Sequence, residues 1–244
     1  MDRVDFVLIG IFVVLNITCF ILSRLSPNNT IRDIGNWFVM LTHLLIVPSI
    51  LMVYETRWYF AVLLYSLMTS IMYHLSKIGY YGLLDKFDRW DVASQNVLIM
   101  STFFLLVFHH IPEWAFLVIA GSGVFMGAVG DAKMGAIQMY EFISGIIFLL
   151  LFVYLVIRTC HPIPSRNNKY IGMACGAAIV AGISFVVAGE SDNRKYGLIH
   201  SIWHCSAYIM LYFALKSIKN PYQQLLRRER TNLGEPPAYE DDEK

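Results

Sequence analysis

The sequence predicts an all-α polytopic transmembrane bundle, a seven-helix core plus one extra N-terminal hydrophobic helix. Three observations predict it. Hydrophobic residues make up 57% of the 244 and charged residues only 15%, against about a quarter charged in a soluble domain. The apolar residues gather into segments near the length of about 20 that a spanning helix needs. Several segments begin or end with Trp or Tyr, the residues of the headgroup belt.

Eight segments meet these criteria: Val4–Ser23, Trp37–Val53, Trp58–Ser76, Asp91–Phe108, Trp114–Gly130, Met134–Ile157, Tyr170–Ala188 and Tyr196–Leu215. The second, fourth and fifth are short. The first, residues 1–24, reads either as a retained anchor or as a signal segment. Its start, Met1-Asp2-Arg3-Val4-Asp5, lacks a positive n-region, which favours the anchor. Residues 35–216 form the core. Residues 217–244 form a polar tail, disordered at its end by composition. Net charge is +1, so no basic field exists for nucleic acid. The four cysteines have no paired or zinc-knuckle spacing, and Cys160, just past a span, is at most a palmitoylation site.

Lys and Arg in short loops set the orientation. Arg158, Arg166 and Lys169 lie between the sixth and seventh spans; Lys216, Lys219, Arg227, Arg228 and Arg230 follow the eighth. Both regions belong in the cytosol, at the plasma membrane or in the secretory pathway. Alternation then puts the loop of residues 24–36 outside, where Asn28-Asn29-Thr30 is a glycosylation acceptor sequence.

Polar residues inside spans are expensive and need a reason. Ser70 and His74 lie four apart in the third span, and His200 and His204 four apart in the last. Each pair shares one helix face. By direction of travel, His74, His200 and Asp91 lie near the outer interface, with His204 about one turn deeper. His74, His200 and His204 are the expected ligands of one zinc ion, leaving a fourth position for water. Asp91 would hold that water or take its proton, and Ser70 would donate to water or to a developing oxyanion. Hydrolysis of an amide or ester follows, on a membrane lipid entering from the bilayer. The plainer readings are a helix-capping Asp91, a Ser70 bonded to its own helix, and packing histidines. Asp85 and Asp88 compete for the role of Asp91. His43 reads as a packing residue and Glu141 as a pocket residue. His109, His110 and His161 fall in loops on the cytosolic side.

The set Ser70-x-x-x-His74, Asp91 and His200-x-x-x-His204 resembles the signature of the CREST superfamily of membrane hydrolases, which includes the alkaline ceramidases. Tyr65–His74 and Ile199–Cys205 resemble most closely its branch of myomaker and the post-GPI-attachment phospholipase. The resemblance covers about residues 37–215. It implies a seven-helix core, a cytosolic tail, and zinc on His74, His200 and His204. It also implies either a lipid hydrolase, acting on a ceramide-, GPI- or phospholipid-like substrate, or a non-catalytic membrane-remodelling or cell-fusion protein that keeps the zinc. A receptor of the adiponectin-receptor type is a third reading, with orientation reversed. The first span is extra to the seven-helix plan, and Leu75-Ser76-Lys77-Ile78 lacks the small-residue, Cys-containing stretch of the branch. In the tail, Pro236-Pro237-Ala238-Tyr239 is a PPxY element suited to a WW domain.

Overall fold

The structure, a computed structural model, describes residues 3–25, 28–53, 57–78, 84–108, 113–129, 134–161, 167–189 and 193–218. Among them the helices are α1 (Arg3–Ser23), α2 (Asn29–Thr42), a 3₁₀ turn (His43–Ile46), α3 (Val47–Met52), α4 (Arg57–Ile78), α5 (Leu84–Phe108), α6 (Glu113–Val129), α7 (Met134–Cys160), α8 (Asn168–Gly189) and α9 (Asn193–Ser217). Taking α2, the turn and α3 as one bent rod, each expected span has its helix. Six of the rods are long and apolar enough to cross a membrane. The chain is an all-α polytopic bundle and an integral membrane protein by architecture. The PPxY element, His109 and His110 lie outside the described residues, and so do the side chains of Asp85, Asp88 and Glu141.

Helix α9 is the axis of the bundle. It packs against α8, α2 and α1, and its residues Tyr208 to Leu215 are all buried. Small residues make the α8–α9 seam. Ala174, Ala177, Ala178 and Ala181 are buried at three- and four-residue spacing, the pattern that lets membrane helices approach closely. The α2–α9 crossing is tighter. A Cβ on Gly35 would lie 2.8 Å from the Leu198 backbone nitrogen, and one on Gly197 would lie 2.8 Å from the Gly35 carbonyl carbon. Only hydrogen fits at either position. Outward faces carry exposed Phe6, Ile17, Phe20, Trp114, Phe125, Leu149 and Ile183, which lipid solvates.

Two boundaries differ from the sequence reading. The second rod begins at Asn29 rather than near Trp37, because Asn28 caps it, its Oδ1 accepting from the Ile31 N–H at 2.8 Å. Helix α5 begins at Leu84, so Asp91 does not open it. Asp91 stands about two turns inside, where a capping role is excluded.

Polar contacts tie α1 into the bundle at the end opposite the histidines. Asp5 is fully buried. Its carboxylate accepts from Tyr170 of α8 at 2.9 Å and from Tyr212 of α9 at 3.0 Å. It also ion-pairs with Lys216. The start of α1, the start of α8 and the end of α9 therefore share one face of the bundle, as strict alternation requires. Tyr59–Thr102 at 2.6 Å and Thr69–Ser94 at 2.6 Å join α4 to α5 in the same way.

Candidate functional site

The site begins with a helix irregularity. Pro48 stands in the first turn of α3. It has no N–H, and its ring crowds the carbonyl four residues back. The chain responds with the 3₁₀ turn at His43–Ile46. There the His43 backbone N–H turns to the Met40 and Leu41 carbonyls. The Val39 carbonyl instead accepts from the Thr42 hydroxyl at 2.6 Å and from His43 Nδ1 at 2.8 Å. The bend thus aims a buried imidazole into the bundle.

Helix α4 supplies Ser70 and His74 one turn apart, both buried. Helix α9 supplies His200 and His204, also one turn apart and buried. The Nε2 atoms of His74 and His204 are 3.3 Å apart, and those of His204 and His200 are 3.1 Å apart. His43 joins them from the 3₁₀ turn, its ring centroid 4.8 Å from that of His204 and 5.4 Å from that of His74. The ring nitrogens of His43, His74 and His204 lie within 4.8 Å of one another. Four imidazoles from three rods therefore meet in one buried cluster that can bind a metal ion.

The flanking groups are polar and connected. His43 Nε2 bonds Ser70 Oγ at 2.8 Å. Ser70 thus reaches across to α2 rather than back to its own helix. His204 Nδ1 lies 3.3 Å from the Tyr208 hydroxyl. The buried Tyr208 ring lies 5.5 Å from that of His204 and 5.9 Å from that of His43, centroid to centroid. Asp91 is buried, and its Oδ1 accepts from Gln95 at 3.3 Å. An aromatic wall flanks the cluster. Tyr196 stacks on His200 with centroids 4.8 Å apart, and Trp203 packs against His200 and His204. The Lys77 ammonium sits 4.3 Å from the centre of the Tyr73 ring and 4.7 Å from that of Tyr196, a cation held on aromatic faces.

Of the residues singled out from sequence, His74, His200 and His204 meet directly, and Ser70 joins them through His43. Asp91 is buried on α5, its Oδ1 bonded to Gln95. His161 is exposed and apart. His43 and Tyr208 are the additions. Both were visible in principle: His43 is a polar residue inside the second span, and Tyr208 follows His204 by one turn.

No curated protein and no solved structure matches the chain. One protein-family model does, over residues 34–205. That stretch begins inside α2, contains all four clustered histidines, Ser70 and Asp91, and leaves out α1 and the tail. The cluster is therefore a feature of the matched region, and the chain belongs to the DUF3522 family, whose function is unknown.

Proposed function

We propose that the chain is a zinc-dependent lipid hydrolase of CREST type, cleaving an acyl amide or ester in the luminal or outer leaflet. The carrying observation is the spacing of the Nε2 atoms. Two imidazole nitrogens bound to one tetrahedral zinc lie roughly 3.3–3.4 Å apart, given Zn–N bonds of about 2.0–2.1 Å. The contacts His74–His204 at 3.3 Å and His204–His200 at 3.1 Å fit that spacing. His74, His200 and His204 would hold the ion. His43 has Val39 and Ser70 as partners for its two ring nitrogens, which suits a supporting place beside them. Zinc, when bound, brings a water's pKa to about 7 and polarises a carbonyl.

The protein's own groups then have defined tasks. Asp91, buried and bonded to Gln95, would take a proton from the attacking water. Ser70 donates to His43 Nε2 and holds that ring beside the cluster. The surrounding aromatic and apolar side chains exclude bulk water, which strengthens each polar interaction. An acyl chain reaches the cluster from the lipid that solvates α4, whose Met68 and Met72 are exposed. The basic loop and the basic tail favour a cytosolic C-terminus, and the joining of Asp5 to Lys216 puts the start of α1 on the same side. The PPxY element then presents itself to a WW-domain partner.

The test is zinc analysis and turnover by the purified protein in lipid nanodiscs, with labelled ceramide, GPI-like and phospholipid substrates. About one zinc per chain and turnover abolished by His200→Ala is the expected result. Turnover equal in wild type and His200→Ala removes the hydrolase reading. Zinc without any turnover leaves the non-catalytic one.

A further inference from the structure

We infer that Ser70 is the nucleophile of the reaction and His43 its general base, so that cleavage passes through an acyl group carried on Ser70 Oγ. The lipid substrate belongs to the hydrolase reading above; the dyad itself is in the structure. Buried serines elsewhere in the bundle direct their proton to their own helix. Ser76, Ser94, Ser201 and Ser206 each donate to a carbonyl three or four residues back. Ser70 Oγ instead lies 2.8 Å from His43 Nε2. The Val39 carbonyl can only accept, so His43 Nδ1, 2.8 Å away, carries the ring proton. In the neutral imidazole Nε2 is then a lone pair, and Ser70 donates to it. A nucleophile within hydrogen-bond reach of a base, and a base oriented by a third group, is the arrangement that activates a serine. The bend at Pro48 supplies the third group. A regular α-helix would return the Val39 carbonyl to the His43 backbone N–H, but here that N–H turns to Met40 and Leu41.

The dyad stands beside the candidate metal ligands. The His43 ring centroid is 4.8 Å from that of His204, and Ser70 precedes His74 by one turn on α4. Zinc held by the three other histidines would polarise the acyl carbonyl. Ser70 Oγ bonds to the acyl carbon as its proton passes to His43 Nε2. His43 then gives that proton to the leaving nitrogen or oxygen as its bond to the acyl carbon breaks, which leaves an ester on Ser70. Water adds to that ester with Asp91 as base. The bond to Oγ breaks, Oγ recovers a proton from the carboxylic acid formed, and Asp91 releases to solvent the proton it took. The part of Ser70 is thereby revised. Its proton is committed to His43, so it attacks instead of donating to an oxyanion.

A fluorophosphonate probe, which bonds stably to an activated serine, tests the dyad on the full-length protein in nanodiscs. Mass spectrometry should find an adduct on Ser70 in wild type and none in Ser70→Ala. His43→Gln should slow its formation by about 10²–10⁴-fold while keeping its zinc, because His43 is not among the ligands. With labelled lipid, Asp91→Asn should accumulate the acyl group on Ser70. Lipid turnover with neither adduct overturns Ser70 as nucleophile and leaves the zinc hydrolase, with water attacking directly. Labelling equal in wild type and His43→Gln, or zinc lost from His43→Gln, overturns His43 as base. A probe adduct on Ser70 without turnover of any lipid keeps the dyad and removes the lipid substrate. Neither adduct nor turnover removes both readings.

Discussion

The carboxylate of Asp5 and the ammonium of Lys216 are in direct contact, although 211 residues separate them in sequence. With Tyr170 and Tyr212 they form a closed polar knot between the first helix and the last two. A segment so held is expected to stay with the bundle as an anchor. We expect an epitope tag placed before Met1 to stay on the mature protein. Mass spectrometry of the purified chain would find an N-terminus after Ser23 if this is mistaken.

The same knot sets a stability cost. Asp5→Ala removes the common acceptor of two buried hydroxyls and a largely buried ammonium. Leaving buried donors unmatched costs about 1–3 kcal/mol. Thermal unfolding in detergent should show it as a clear fall in Tm. Adding Lys216→Met should recover part of the loss, because it removes the stranded charge.

At the crossing of α2 and α9 the backbones of Gly35 and Gly197 touch. Gly197→Leu forces them apart and should scatter the histidines, so zinc is lost along with stability. Gly172→Ala is the control, since a Cβ there meets nothing within 4 Å. It should be neutral, or stabilising by about 0.5–1 kcal/mol. Comparable zinc loss in both variants would show that the crossing does not organise the site.

His74→Ala and His204→Ala should each abolish stoichiometric zinc, because two remaining imidazoles make a poor site. Zinc should also fall off as pH drops through the imidazole range, since ligands must be deprotonated. Zinc retained at one per chain in either variant would move the ion elsewhere.

Asp91 separates binding from chemistry. Asp91→Asn keeps its shape and its bond to Gln95, so zinc should stay. Loss of a general base lowers turnover by about 10²–10⁴-fold. Undiminished turnover in the labelled-lipid assay would remove Asp91 from the chemistry.

Much of the molecule was legible in the chain because lipid imposes simple rules. A backbone in hydrocarbon must satisfy its own hydrogen bonds, so apolar length alone gave eight rods and nearly their ends. Expense does the same for polar residues, and it singled out Ser70, His74, His200 and His204 at a common depth. Where the ends were misjudged, polar residues such as Asn28, Arg32, Leu84-flanking Asp85 and Asp88 had been read as loop, yet headgroup-level helix tolerates them.

The amino-acid order by itself determined the class of fold, the number of rods and a set of groups able to hold a metal. Tertiary structure alone decided how those groups are wired. That His43 belongs to the cluster depends on a bend at Pro48 and on two glycines letting α2 reach α9. That Asp5 closes on Lys216 depends on which rods are neighbours. Depth in a membrane is written along one helix, whereas the side a residue faces is fixed only when other helices pack around it.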